Sequence, residues 1–113
     1  MTMASDETWI DVCQISDVDA DTPMAAKVGD EEVVVFKVGE EFFVTQNLCT
    51  HGPGLLSDGF VENDVIECPF HQGKFNIRSG LPVSPPCTIP LRVWEVSVRD
   101  SVVCVRADDK GRE

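Results

Sequence analysis

The histidines constrain this sequence most. Only two occur among the 113 residues, His51 and His71, and each stands just behind a cysteine. Cys49-Thr50-His51 and Cys68-Pro69-Phe70-His71 are separated by the sixteen residues 52–67. Two soft thiolates and two imidazoles form a ligand set for a first-row metal. Both pairs lie in turn-rich sequence, with Gly52, Pro53 and Gly54 after the first and Pro69 stiffening the second. A fold that uses them must bring two loop tips to one site while strands between them hold the spacing. Cys2His2 is also a structural zinc set, so the residue types leave zinc open. Zinc fingers usually place both cysteines before both histidines, whereas each half here is mixed.

The rest of the chain reads as short strands between turns. Residues 9–13 alternate apolar and polar side chains, and 32–38 and 41–45 are β-branched and aromatic runs joined by Gly39-Glu40 as a hairpin. Further strands are expected at 65–68, 74–77, 91–98 and 102–106, with Asn63-Asp64, Ser79-Gly80 and Asp100-Ser101 as turns. Helical spacing of apolar residues is nowhere sustained, and 15–20 can make one helical turn at most. Two stretches break the strand rhythm: 47–59, rich in glycine, and 82–90, whose four prolines remove ladder donors. The expected class is all-β, an antiparallel sandwich or open barrel, in a single domain over 1–113. Cys13, Cys87 and Cys104 read as buried apolar fillers, and Trp9 and Trp94 as core anchors. The charged tail 107–113 is expected to fray.

Charge and composition remove several functions. Nine basic residues against twenty acidic ones leave a net charge of −11, which repels phosphate backbones and excludes nucleic acid as a partner. The same field favours basic patches on partner proteins. The longest apolar stretch, Val33-Val34-Val35-Phe36, ends at Lys37, far short of a membrane span. The acidic, polar start of the chain has no signal-peptide pattern, so the expected compartment is the cytoplasm. Five cysteines, an odd number without an export signal, suit metal ligation better than a disulfide framework.

The spacing C-T-H, sixteen residues, C-P-F-H resembles the Rieske motif C-x-H-(x16–17)-C-x-x-H. The surrounding Asn47-Leu48-Cys49-Thr50-His51-Gly52 and Glu67-Cys68-Pro69-Phe70-His71-Gln72-Gly73-Lys74-Phe75 resemble ferredoxins of bacterial ring-hydroxylating dioxygenase systems such as those for naphthalene and biphenyl. Pro85-Pro86 matches the proline loop that covers the cluster in that family. The likeness is most specific over residues 45–86. It implies the Rieske iron–sulfur fold, with a small cluster-binding subdomain at about 46–83 and a basal β part from the remainder. It implies one Rieske-type [2Fe–2S] cluster, with Cys49 and Cys68 on one iron and His51 and His71 on the other. Glycine amides at Gly52 and Gly54 can then donate hydrogen bonds to the inorganic sulfides.

Two ferric ions, two sulfides and two thiolates sum to zero charge when the histidines are neutral, so such a cluster accepts an electron at roughly −150 to +300 mV, above an all-thiolate one. Respiratory Rieske proteins add a cysteine pair that forms a disulfide, at positions matching Gly54 and Phe70 here, and Ser and Tyr hydroxyls at positions matching Gly73 and Phe75. Their absence points to a potential towards the low end, suited to a pyridine-nucleotide-linked reductase as donor.

A Rieske oxygenase subunit also needs a mononuclear iron held by two more histidines and a carboxylate, and no third histidine exists. Nor does a G-x-G-x-x-G accompany a strand–helix unit. The chain therefore reads as an electron carrier, not an enzyme. By resemblance it shuttles single electrons from an NAD(P)H-dependent ferredoxin reductase to a terminal ring-hydroxylating oxygenase, docking transiently on each and binding no small-molecule substrate. The alternatives are the small Rieske subunit of another redox enzyme, such as nitrite reductase, and a colourless zinc-stabilised binding module.

Overall fold

The run Val33-Val34-Val35-Phe36 lies at the centre of the molecule, each side chain exposed by 1% or less. A strand that is apolar without alternation has to be covered on both faces. The computed structural model, which describes residues 9–20, 22–49, 54–69, 73–84 and 89–106, shows how that is done. Eleven strands run through these residues: β1 (Trp9–Gln14), β2 (Met24–Val28), β3 (Glu31–Val38), β4 (Glu41–Gln46), β5 (Phe60–Glu62), β6 (Val65–Glu67), β7 (Lys74–Asn76), β8 (Pro82–Ser84), β9 (Val93–Trp94), β10 (Val96–Arg99) and β11 (Val102–Arg106). They form antiparallel sheets in the orders β1-β11-β10, β2-β3-β4-β9 and β5-β6-β7-β8.

Side chains alternate across a strand, so β3 divides its apolar run between two cores. Val33 and Val35 join Val18, Val28, Val44, Trp94, Val103 and Val105 in a basal core. Val34 and Phe36 join Leu56, Ile66, Phe75, Ile77, Leu91, Cys49 and Cys68 in a second core. The third sheet closes over that second core through Ile66 and Phe75, which are paired in register. Its other face carries Phe60, Glu67 and Lys74 in one row and Glu62, Val65 and Asn76 in the next, a mixture of polar and apolar side chains.

Two glycines weld the third sheet in place. A Cβ on Gly59 would run into the backbone carbonyl oxygen of Glu67. Gly80 adopts φ +77°, and a Cβ there would lie 2.7 Å from the Leu91 carbonyl oxygen. Its own carbonyl accepts from Leu91 N at 2.8 Å.

The all-β class, the 39–40 hairpin and the turns at 63–64, 79–80 and 100–101 agree with the sequence, and the only helical turn near 15–20 is a 3-10 turn at Ile15–Asp17. Other expectations need correction. The strand expected at 91–98 is two strands in two sheets, because the chain crosses at Glu95 from a ladder with β4 to one with β11. Pro82 starts a strand instead of breaking one; β8 is an edge strand, where a missing N–H donor costs nothing. Strand β2 was not expected at all, since Met-Ala-Ala-Lys-Val has weak β preference and is made a strand by its ladder with β3. Trp94 is a core anchor at 5% exposure, but Trp9 is only half-buried and its ring lies 4.9 Å from the Arg99 guanidinium. Pro85, Pro86, Cys87 and the tail 107–113 lie outside the described residues. No helix among the described residues is long and apolar enough to cross a membrane.

Candidate metal centre

Cys49 and Cys68 occupy equivalent places in two loops. Leu48 forms an antiparallel bridge with Leu55, and one step further on Cys49 N donates to the Gly54 carbonyl at 2.9 Å. Glu67 pairs with Lys74 at the end of β6 and β7, and one step further on Cys68 N donates to the Gly73 carbonyl at 2.7 Å. Each cysteine is therefore the first residue past an antiparallel pair, its backbone fixed by a bond to a glycine five residues later. Between those closures lie Thr50-His51-Gly52-Pro53 in one loop and Pro69-Phe70-His71-Gln72 in the other. His51 and His71 lie outside the described residues.

The two thiols share one apolar environment. Cys49 is exposed by 3% and Cys68 by 0%, and both belong to the core built on Val34, Phe36, Leu56, Ile66 and Phe75. Paired thiolates at the inner side of two loop tips, each followed within three residues by an imidazole in the chain, fit the donor set of a mixed-ligand [2Fe–2S] cluster. The other described cysteines are elsewhere. Cys13 sits on β1 against the basal core, and Cys104 on β11 donates to Asp11 Oδ1 at 3.4 Å. Burial pushes both thiols above the ordinary value, for Cys104 with help from the bond to the Asp11 carboxylate and for Cys13 from the charge of Asp17. Cys104 is the buried filler expected, while Cys13 is only partly buried.

The residues around the loops were not singled out from sequence. Asn47, exposed by 2%, accepts from Leu56 N at 2.7 Å through its carbonyl and from Ser57 N at 2.8 Å through Oδ1. Gln46 Nε2 donates to the Leu48 carbonyl at 2.7 Å, and Gln46 Oε1 accepts from Arg92 N at 2.7 Å. Asn76 Oδ1 accepts from the backbone of Arg78 and Ser79 and so fixes the turn after β7. Short polar side chains at strand ends commonly serve the local backbone, and that is the one signal the sequence offered.

Comparison with known proteins places this arrangement. The Rieske [2Fe-2S] domain family matches residues 8–95. The chain is 44% identical to Ferredoxin CarAc of Metapseudomonas resinovorans over 105 residues, covering 92% of this chain and 98% of that one. The structure is similar to that of the Sphingomonas yanoikuyae B1 ferredoxin, with TM-score 0.85, 38% identity and coverage of 88% and 98% of the two chains. It is also similar, with TM-score 0.83 and 43% identity over 94% and 99% of the chains, to a structure described as a complex of reduced oxygenase and oxidized ferredoxin in carbazole 1,9a-dioxygenase. A nitrite reductase small subunit with 21% identity shares the fold alone. These likenesses imply a Rieske-type cluster, which sets the zinc reading aside, and they extend over nearly the whole chain. The chain thus belongs to the Rieske [2Fe–2S] ferredoxins of multicomponent aromatic dioxygenase systems, and it is an electron carrier.

Proposed function

We propose that Cys49 and Cys68 bind one iron of the cluster and His51 and His71 the other, and that the chain carries single electrons from an NAD(P)H-dependent ferredoxin reductase to a terminal ring-hydroxylating oxygenase. The observation that carries this reading is the matched closure of two loops at Cys49–Gly54 and Cys68–Gly73, with both thiols in one core. When bound, the cluster takes up and gives up one electron. The chain's part is to hold the thiolates dry and rigid and to present the imidazole side to a partner. Residues 46–83 act as the cluster-binding unit on a basal β part, and the compartment of action is the cytoplasm.

Partner contact belongs to the same unit. Seven large apolar residues are exposed among the described residues; five of them, Leu48, Leu55, Phe60, Leu81 and Val83, fall within 46–83, and Ile89 follows shortly after. Apolar surface concentrated in the chain segment that carries the ligand loops, on a protein of net charge −11, suits brief docking onto basic-rimmed partners.

The test has two arms. Alanine at Cys49, His51, Cys68 or His71 should each abolish the visible bands and the low-temperature EPR of the reduced cluster, whereas serine at Cys13 or Cys104 should leave both. A ligand variant with an intact Rieske spectrum sinks the assignment. In reconstitution with a reductase and a dioxygenase component, turnover should depend on this chain. No turnover with any dioxygenase partner would favour the nitrite-reductase type of role.

A further inference from the structure

We propose that Asn47 is a positioning residue for the cluster, its carboxamide acting as the latch that holds the Cys49 loop in register. The proposal rests on Cys49 being a cluster ligand. The loop from Leu48 to Leu55 leaves the protein body through two stems, Asn47 on one side and Leu56-Ser57 on the other. Asn47 joins them with three of its four polar groups, while its N–H ties its own stem to β3. Its N–H donates to the Glu32 carbonyl at 3.2 Å and its carbonyl accepts from Leu56 N at 2.7 Å. Its Oδ1 accepts from Ser57 N at 2.8 Å and its Nδ2 donates to Ser57 Oγ at 3.0 Å.

Apolar packing secures only one of the stems, at Leu56, which is 0% exposed in the core that holds Cys49. Directly above the latch, the Leu48–Leu55 bridge pair is exposed at 53% and 36%, so packing does not clamp the stems there. The next closure up is the Cys49–Gly54 bond itself. Asn47 is 2% exposed although it borders a surface groove lined by Ala25, Ala26, Lys27, Glu32 and Leu55. Removing its carboxamide therefore leaves Ser57 N without its acceptor and opens the stem to water two residues from a ligand. Groups that hydrogen-bond a ligand directly change metal affinity about 10- to 100-fold when lost, and Asn47, which holds the ligand's loop and not the ligand, falls at the low end of that range.

The experiment uses cluster-loaded protein and reads cluster loss to a ferrous chelator after reduction, together with the EPR g values of the reduced form. Asn47→Ala should lose the cluster about 10-fold faster than the parent and shift its g anisotropy. Asn47→Asp should hold the cluster within about threefold of the parent rate, because a carboxylate can accept from both Ser57 N and a reoriented Ser57 hydroxyl. Ser57→Ala removes one of the two side-chain bonds and should fall between them. The proposal is overturned if Asn47→Ala only lowers Tm while loss rate and g values stay at parent values, or if Asn47→Asp loses the cluster as fast as Asn47→Ala. Should Asn47→Ala not fold, a parent-like loss rate in Ser57→Ala overturns it and a several-fold faster one supports it. A parent protein without a Rieske spectrum would instead defeat the ligand assignment, a separate outcome.

Discussion

Val34 and Val35 offer a clean separation of stability from site. They are neighbours in β3, both 0% exposed, and both held in ladders, Val34 between Ala25 and Thr45 and Val35 between Met24 and Val44. Their side chains enter different cores, Val34 the one containing Cys49 and Cys68, Val35 the basal one. Truncation to alanine removes two carbons from each. At about 0.8 kcal/mol per buried carbon plus a cavity contribution, each variant should lose about 2–3 kcal/mol. For a domain of this size that is a fall in Tm of about 10–20 °C. Global unfolding midpoints of the two variants should therefore agree closely.

Cluster loss should not agree. If the cavity under Val34 falls within the unit that opens to release the cluster, about 2 kcal/mol of local destabilisation raises the open population about thirtyfold. A cavity under Val35 lies across the sheet and should leave native-state release near the parent rate. Chelator-driven bleaching well below either Tm is the assay, with denaturant midpoints measured in parallel. Equal release from Val34→Ala and Val35→Ala would refute the two-core reasoning, whatever the size of the stability loss.

Four further outcomes are expected. Redox titration should give a midpoint below zero, since Phe75 is a buried apolar residue and Gly73 offers only backbone where hydroxyls would support a higher value; a strongly positive midpoint contradicts this. Gly59→Ala should cost about 1–3 kcal/mol from its collision with the Glu67 carbonyl, and should weaken cluster retention beside Cys68. Gly39→Ala, at φ +62° with open space around it, should cost only about 1–2 kcal/mol and leave retention alone; calorimetry and bleaching rates check the pair. Cys104 stays a thiol in the fold to higher pH than in the unfolded chain, so its contribution is complete below the ordinary thiol range near pH 9.0 and is lost as pH rises through the raised value. Cys104→Ala should flatten the alkaline limb of a stability–pH curve. Leu81→Ser and Ile89→Ser should raise the apparent KM for an oxygenase partner without altering the visible spectrum, and an unchanged KM would remove these residues from the docking face.

The parts of the fold legible in the sequence are those whose signal is local. The 31–46 hairpin announces itself through β-branched runs around Gly39-Glu40, and residue type and spacing single out Cys49 and Cys68, which the fold brings into one core. What was not legible depends on partners distant in the chain. Met24–Val28 becomes a strand because β3 is beside it. The break at Glu95 reflects which sheet each half joins, which no window of sequence contains. Asn47 looked like motif context only, because its value lies in Ser57, ten residues away. Within the strand expected at 32–38, the run Val33 to Phe36 lacks alternation because two cores meet on it.

The arginines explain how an acidic surface coexists with sheets held in a fixed relation. Arg78, just after β7, bonds Glu41 of the basal hairpin at 2.6 Å, approaches Asp64 at 3.8 Å and lies over Phe43. Arg92 bonds Glu31 at 2.7 Å and lies over Trp94, while its backbone is tied to Gln46 beside the Cys49 loop. These pairs are largely exposed, and exposed pairs contribute about 0–1 kcal/mol each, so they add little to stability. What they do is orient: Arg78 ties the turn after β7 to the β3–β4 hairpin, and Arg92 fixes the approach to β9 against β3 and β4. The other two described arginines are engaged within the base, Arg99 on Trp9 and Arg106 on Glu95. With the described arginines thus committed locally, the excess of acids faces outward, and long-range attraction to basic partners survives. An electron carrier that docks only briefly gains from that division, since the field speeds encounter while a small contact limits how long a complex lasts.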